Sequence, residues 1–326
     1  MAIPTLSLDI GNTAVKWRLR RGRTVHQGRV LHHAQCVEAI LTALGDRPQG
    51  PWQLAYSAVA HPQKVVRVLR PLERLLQTSG HRLVAEHHLV FAGSASAFEV
   101  TCGYTEPAEL GADRWAAVLG VTRQIARIRR ARSAQATQAA PPAQPVPGGQ
   151  PRPPLALRGS GIRPTGTFSL WLVSAGTATV IDLVSVGLTR DGALARLSFL
   201  GGCILPGIGL TRDALSRATG ALAAYMPEST VRFRIQGPPR NARDAIGYGL
   251  AAAQSSALLA LPLPAGVIVH GGYAKDWLRY FQAVRATATP HHRGQSAPFF
   301  LEAPHLVLDG VEQWASATRL PGPMRG

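Results

Sequence analysis

The apolar run from Ile3 to Leu8 closes on Asp9, and apolar and β-branched residues resume near 14–20 and again near 24–30. Short runs bounded by Gly, Asn and Asp predict three strands, near 3–9, 14–20 and 24–30. A helical pattern follows near 34–45, a strand-like run near 52–58 and a second helical pattern near 62–78. The second half repeats the order, with strands near 169–174, 178–186 and 194–202 and helices near 207–219 and 241–261. A strand near 266–270, a helix near 273–283 and a last strand near 305–309 complete it. From Ala245 to Ala274 there is no Asp, Glu, Lys or Arg, and Pro262 and Pro264 divide this stretch into an Ala-rich part and Val267-Ile268-Val269. Neither part reaches the about 18 apolar residues that a membrane span needs, so a buried helix followed by a buried strand is expected. Trp52, Trp171 and Trp277 sit in apolar runs and are expected in the core.

Between the halves, Ser133 to Gly166 is dense in Pro, Gly, Gln and Ala and almost free of aromatic residues. Such a segment buries too little apolar surface to offset its ordering entropy, and a disordered insertion is expected. The predicted division is a first half over 1–112, a helix of the second half over 113–132, the insertion over 133–166 and a C-terminal half over 167–326. A chain of 326 residues has room for two such cores.

Composition narrows the classes. Cys36, Cys102 and Cys203 show no C-x-x-C spacing, so neither a disulfide framework nor a zinc site is indicated and a reducing cytoplasm fits. Asp9 interrupts the first apolar run and Lys16 to Arg23 follow it, which is not the layout of an export signal. The net charge of +17 invites a nucleic-acid partner. Its distribution argues otherwise: nine Arg and no acidic residue fall between Arg114 and Ile181, a region that includes the Pro-rich segment. The Arg-rich run from Arg123 to Arg132 reads as a solvated helix end, so neither nucleic acid nor a membrane is expected as partner. Of the 35 basic residues only Lys16, Lys64 and Lys275 are lysine.

Candidate chemistry begins at Asp9-Ile10-Gly11-Asn12-Thr13, which has an echo 165 positions later in Ser174-Ala175-Gly176-Thr177-Ala178. In both places a strand-like run ends in an oxygen-bearing side chain, turns on Gly, and offers amide or hydroxyl groups before β-branched residues resume. Gly lets the backbone approach a phosphate and take dihedrals other residues resist, and the N–H groups of the turn donate to anionic oxygens. One such turn could be an ordinary hairpin; two, in the two halves of one chain, point to a duplicated domain that grips a nucleotide. Three antiparallel strands followed by alternating helix and strand, twice over, is the actin-like or sugar-kinase ATPase (ribonuclease H-like) architecture, an α/β class. No G-x-x-x-x-G-K-[ST] occurs, which disfavours a P-loop kinase. Leu110-Gly111-Ala112-Asp113-Arg114-Trp115 places a carboxylate and a guanidinium at the start of an Ala-rich helix, where the carboxylate could take a hydroxyl proton and the Arg could grip an acid. A plain helix N-cap with an incidental Arg is the alternative.

Taken in order, D-I-G-N-T-x-x-K, Y-x-E-P-x-x-L-G-A-D-R-W, G-T-A-x-x-x-D, G-G-x-I-x-P-G and H-G-G-Y-A resemble the type III pantothenate kinases, the family that includes the Bvg accessory factors. The resemblance covers nearly the whole chain apart from the Pro-rich insertion. It implies transfer of the ATP γ-phosphoryl group to the 4′-hydroxyl of pantothenate, the first step of coenzyme A synthesis, by a cytoplasmic homodimer with its substrate pocket at the subunit interface. It further implies that Asp9, Ile10, Gly11, Asn12, Thr13, Ala14, Val15 and Lys16 form the first phosphate loop, with Asp9 near Mg²⁺. Thr177 would belong to the second loop, and Asp182 would order metal-bound water. Asp113 would be the catalytic base, and Tyr104, Gly111, Ala112, Asp113 and Arg114 would contact pantothenate, Arg114 reaching its carboxylate. Gly201, Gly202, Pro206 and Gly207 resemble the family's G-G-x-I-x-P-G turn, and Gly271-Gly272 its adenosine-side turn.

Two departures stand out. Ser174 occupies the place of an Asp that the family associates with a monovalent cation, potassium or ammonium; a neutral Ser cannot supply that charge, so the cation is bound differently, more weakly, or is unnecessary. Ala242 stands where many members carry a substrate-contacting Thr, so Asn241 substitutes or the pocket is altered. His32-His33, His87-His88 and His291-His292 lack the i, i+4 spacing of helical metal ligands and are expected as solvated loop residues. Two other readings remain: a non-catalytic transcriptional accessory factor of the same family, and an actin-like kinase for another small hydroxylated acid.

Overall fold

The computed structural model describes residues 3–32, 36–44, 50–77, 81–89, 99–138, 166–227, 238–259, 264–287 and 298–317. Two compact units divide the chain, Met1–Thr137 with His305–Gly326, and Gln138–Pro304.

The first unit is built on β1 (Thr5–Ile10), β2 (Ala14–Arg21), β3 (Thr24–Leu31), α1 (Cys36–Leu44), β4 (Gly50–Ala58), α2 (Pro62–Leu76) and β5 (His81–His88). Its sheet runs in the order β3-β2-β1-β4-β5; β1 pairs antiparallel with β2 and parallel with β4. The two-residue period of the strands puts Leu6, Leu8, Ile10, Val15, Trp17, Leu19, Trp52 and Leu54 on one face, where Ile40 of α1 and Val68 and Leu72 of α2 close a core.

The opposite face carries Ser7, Asp9 and Arg18, all buried. It is covered by α7 (Leu306–Ala317), which packs on β1, β2 and β4. Arg18 donates to Asp309 at 2.7 Å, Gln124 donates to the other Asp309 oxygen at 2.8 Å, and Arg20 bonds Glu312 at 2.9 Å. Arg18 Nε also donates to Gln27, whose amide donates in turn to His305 Nε2, so that this ring nitrogen is an acceptor. Gln124 belongs to α3 (Ala112–Gln138), which meets α7 backbone to backbone: a Cβ on Gly120 would collide with the Leu306 carbonyl, and one on Gly310 with the Ala116 carbonyl. Between β5 and α3 lie β6 (Glu99–Cys102) and a 3₁₀ turn, Pro107–Glu109.

The second unit repeats the plan with β7 (Gly166–Ala175), β8 (Ala178–Leu188), β9 (Leu194–Pro206), α4 (Ile208–Ala218), a 3₁₀ turn over Gly220–Tyr225, α5 (Ala242–Leu259), β10 (Gly266–His270), α6 (Ala274–Thr287) and β11 (Phe299–Glu302). Strand order β9-β8-β7-β10-β11 has the same sequence of antiparallel and parallel pairings as β3-β2-β1-β4-β5. Its core holds Trp171, Val173, Ala175, Ile181, Val267, Val269 and Trp277, the last stacked on Phe281 with centroids 5.4 Å apart. The charge-free stretch after Ala245 comprises most of α5 and a fully buried β10; the helix is not buried as expected, since Ala245, Tyr248, Gly249 and Ala253 are exposed, whereas Trp52, Trp171 and Trp277 are core residues. No helix among the described residues is long and apolar enough to cross a membrane.

Several expectations change. The strand expected near 305–309 is the start of α7, and the last strand is β11. Leu306-Val307-Leu308 is short enough to read either way, and every residue from Leu306 to Glu312 is buried; helical backbone bonding, beginning with the Asp309 N–H on His305 O at 2.9 Å, decides it. The compact units place α3 and α7 with the first half, whereas the sequence grouped both with the second. Helix α3 continues to Gln138, into the start of the Pro-rich segment, and residues 139–165 lie outside the described residues. His87 and His88 belong to β5 rather than to a loop, and His88 stacks on Tyr56 at 4.6 Å. His33 and His291-His292 lie outside the described residues.

Candidate active site

The first turn is a tight hairpin between β1 and β2. Asp9 and Lys16 are direct cross-strand partners, and Lys16 Nζ lies 3.3 Å from Asp9 Oδ2. Gly11 N–H closes the turn on the Ala14 carbonyl at 3.1 Å, leaving Asn12 and Thr13 exposed at the tip. Ile10 and Val15 are core residues, so they can serve a ligand only through their backbone. The turn is tied down by its neighbours. Val59 and Ala60 N–H both donate to the Ile10 carbonyl, Asn12 Nδ2 donates to Val59 O at 3.3 Å, and His32 N–H donates to Thr13 O at 3.2 Å. Two side chains also bond its carbonyls: His32 Nε2 is 2.7 Å from Gly11 O, and Lys64 Nζ donates to Asn12 O at 2.6 Å. His32 is thus no solvated loop residue. The sequence held only one hint of Lys64, the scarcity of lysine.

The second turn, between β7 and β8, is one residue shorter: Ser174 pairs with Val180, where Asp9 pairs with Lys16. Gly176 N–H closes it on Ala178 O at 2.9 Å. Thr177 is exposed at the tip. Neither Gly11 nor Gly176 has a positive φ, and a Cβ on either would meet only ordinary contacts, Ala14 O at 3.4 Å and Ala178 O at 3.6 Å, so the fold of the turns does not itself demand glycine there. Three other glycines build the wall behind the second turn. Gly207, the N-cap of α4, donates to Thr177 O at 3.0 Å, and a Cβ on it would collide with the Gly176 and Thr177 carbonyls. Gly271, at φ 103°, sits against the Ala175 carbonyl, to which Tyr273 N–H donates at 2.9 Å. Gly202 leaves room for the buried carboxylate of its cross-strand partner Asp182. Gly201, at φ 118°, marks the register shift in β9. The N-terminus of α4 thereby begins beside the second turn, adding its N–H groups and dipole.

The third cluster lies in the first unit at the entry to α3. The 3₁₀ turn Pro107–Glu109 seats Leu110 in the interior, and the Trp115 N–H donates to Gly111 O at 3.0 Å as the helix begins. Asp113 Oδ1 accepts the Arg114 N–H at 2.8 Å, and a Cβ on Gly111 would crowd that same oxygen. Arg114, buried, donates to Tyr104 Oη at 2.9 Å and lies 5.3 Å from the Tyr104 ring centroid. Tyr104, Gly111, Ala112, Asp113 and Arg114 are therefore brought together. Asn241 is committed elsewhere: its Oδ1 caps α5 through the Asp244 N–H at 2.8 Å and its Nδ2 donates to the Asp244 carboxylate at 2.7 Å.

A family model for type III pantothenate kinase matches residues 5–129 and 163–261. Type III pantothenate kinases from Alcanivorax borkumensis and Halorhodospira halophila are 26% and 27% identical, covering 95% of this chain and 98% and 97% of those proteins. One from Azoarcus sp. strain BH72 is 28% identical over 96% of this chain and 90% of its own length. With the pattern matched in both units and on either side of the Pro-rich segment, the chain belongs to the type III pantothenate kinase family.

Proposed function

We propose that this chain transfers the γ-phosphoryl group of ATP to the 4′-hydroxyl of pantothenate, with Asp113 as base, in the first step of coenzyme A synthesis. The observation that carries this reading is the entry to α3, where the neighbours Asp113 and Arg114 open the helix, Asp113 Oδ1 accepting the Arg114 backbone N–H and the Arg114 guanidinium steadied by Tyr104. A guanidinium fork suits a carboxylate such as pantothenate's, and Asp113 would take the proton as its hydroxyl attacks phosphorus. Phosphoryl transfer asks for positioning and charge neutralisation more than for covalent chemistry, and each hairpin turn, taken by itself, has an exposed tip of the kind whose backbone amides suit phosphate oxygens.

Asp9 fits Mg²⁺. The ion takes one or two carboxylates together with phosphate oxygens, and Asp9 is the one acidic residue in the segment from β1 through the turn to β2. Bound there with ATP, it would neutralise charge on the phosphoryl oxygens. A monovalent cation at Ser174 does not fit in the same way: the strand end offers a hydroxyl opposite Val180 and no charge. Exposed Leu200, Ile204, Leu210, Tyr225 and Tyr248 of the second unit support a homodimer that covers part of this apolar surface. Cys36, Cys102 and Cys203, none of them in a disulfide, accord with the cytoplasm.

The test is ADP release by the purified protein with Mg-ATP, comparing pantothenate with sugars and other hydroxy acids, with and without potassium or ammonium. Release that requires pantothenate and persists without either cation is expected. Preference for a sugar would defeat the substrate assignment, and a monomeric mass by light scattering would remove the dimer.

A further inference from the structure

Two side-chain contacts, those of His32 and Lys64, converge on one short piece of backbone. His32 lies at the end of β3 and Lys64 in the first turn of α2, 21 and 52 residues from the groups they bond, and each reaches a different carbonyl of the first turn. A carbonyl oxygen only accepts, so His32 Nε2 carries the proton at 2.7 Å from Gly11 O, and Lys64 donates at 2.6 Å to Asn12 O. The peptide unit is planar and trans, so its C=O and N–H point in opposite directions. Holding Gly11 O toward His32 therefore sends the Asn12 N–H the other way, and holding Asn12 O toward Lys64 does the same for the Thr13 N–H.

We propose that His32 and Lys64 are positioning residues that clasp the carbonyls of Gly11 and Asn12 and so aim the Asn12 and Thr13 amides at the phosphates of ATP. The inference rests on the reading of this turn as a phosphate cradle. Preorganised amides are worth more than amides that must be ordered on binding, because the turn, with its exposed tip, otherwise loses conformational freedom when the nucleotide arrives. The Lys64 ammonium also brings a positive charge to the turn, which favours an anion there.

The experiment compares His32→Leu and Lys64→Met with the donor-retaining His32→Gln and Lys64→Arg in the full-length protein. KM for Mg-ATP, KM for pantothenate, kcat, and inhibition by tripolyphosphate and by adenosine are measured beside thermal melts. Loss of one donor should raise KM for Mg-ATP and weaken tripolyphosphate inhibition by roughly three- to tenfold, the scale of one hydrogen bond. KM for pantothenate and inhibition by adenosine should stay within about twofold, and the donor-retaining variants should recover most of the loss. Variants whose KM for Mg-ATP stays at the wild-type value would overturn the clasp, as would a parallel rise in both KM values with a lowered melting temperature. Failure of tripolyphosphate to compete with ATP in the wild-type protein would instead overturn the phosphate reading of the turn, and the clasp with it.

Discussion

Replacing Asp113 by Asn should lower kcat by about 10²- to 10⁴-fold, the usual contribution of a positioned general base, while KM for pantothenate changes little. The substitution is close to isosteric, and an Asn oxygen can still accept the Arg114 N–H that Asp113 Oδ1 now accepts at 2.8 Å. The helix entry, the Gly111 turn and the Arg114–Tyr104 pair are therefore retained, and a thermal melt should be nearly unchanged. What is lost is the ability to take a proton from the substrate hydroxyl. Steady-state kinetics beside the melt decide the matter: activity within about tenfold of wild type would remove Asp113 from the role of base. Changing Arg114 to Met should give the complementary pattern, a raised KM for pantothenate, if the guanidinium holds the substrate acid.

Asp309→Ala is expected to be the most destabilising single change in the first unit. Arg18 and Asp309 are both almost wholly buried, with side-chain exposures of 4% and 1%. Gln124 and Arg123 also direct donors at the same carboxylate. Removing it leaves the buried guanidinium a more distant carboxylate, Glu312 at 3.6 Å, and breaking a buried pair in this way typically costs about 3–5 kcal/mol. For a unit of this size that is a fall in melting temperature of about 6–20 °C. A loss below about 1 kcal/mol would mean that the cluster relaxes or hydrates freely. Arg18→Met with Asp309→Leu, which removes both charges, should recover much of the loss.

The same cluster gives the unit a pH dependence. Burial first, and then the Arg18 guanidinium, hold the His305 imidazole below its ordinary value of 6.5; Lys16 and Arg127 act in the same direction and Asp309 against them. The unfolded chain therefore takes up a proton that the folded unit resists. Stability is fully present above pH 6.5 and declines as pH falls below it toward the folded value. His305→Gln should flatten that decline, and melts at pH 7.5 and 5.5, about one unit either side, would show it. Equal slopes in the two proteins would assign the effect to other groups.

Much of the architecture was legible because it is written in contiguous residues. A strand that closes on Asp9 or Ser174, turns on Gly and resumes with β-branched residues is local information, and both hairpins formed where it placed them. The Asp113-Arg114 pair at a helix start is likewise local, and so is most of the order of strands and helices, although β5, β6 and β11 were not foreseen. The 305–309 segment failed because three apolar residues carry no period, and only the backbone bonding of the folded chain told helix from strand.

Contiguous residues thus specify the duplicated α/β plan, the two turns and the residues at the mouth of α3, all set by side-chain period, glycine and capping chemistry within a few positions. Long-range packing settled that α3 and α7 complete the first unit and that His32 and Lys64 hold the carbonyls of Gly11 and Asn12. The reason is separation along the chain. Arg18 finds Asp309 across 291 positions and Lys64 finds Asn12 across 52, and no spacing rule connects residues whose meeting is fixed by how strands pair and helices pack.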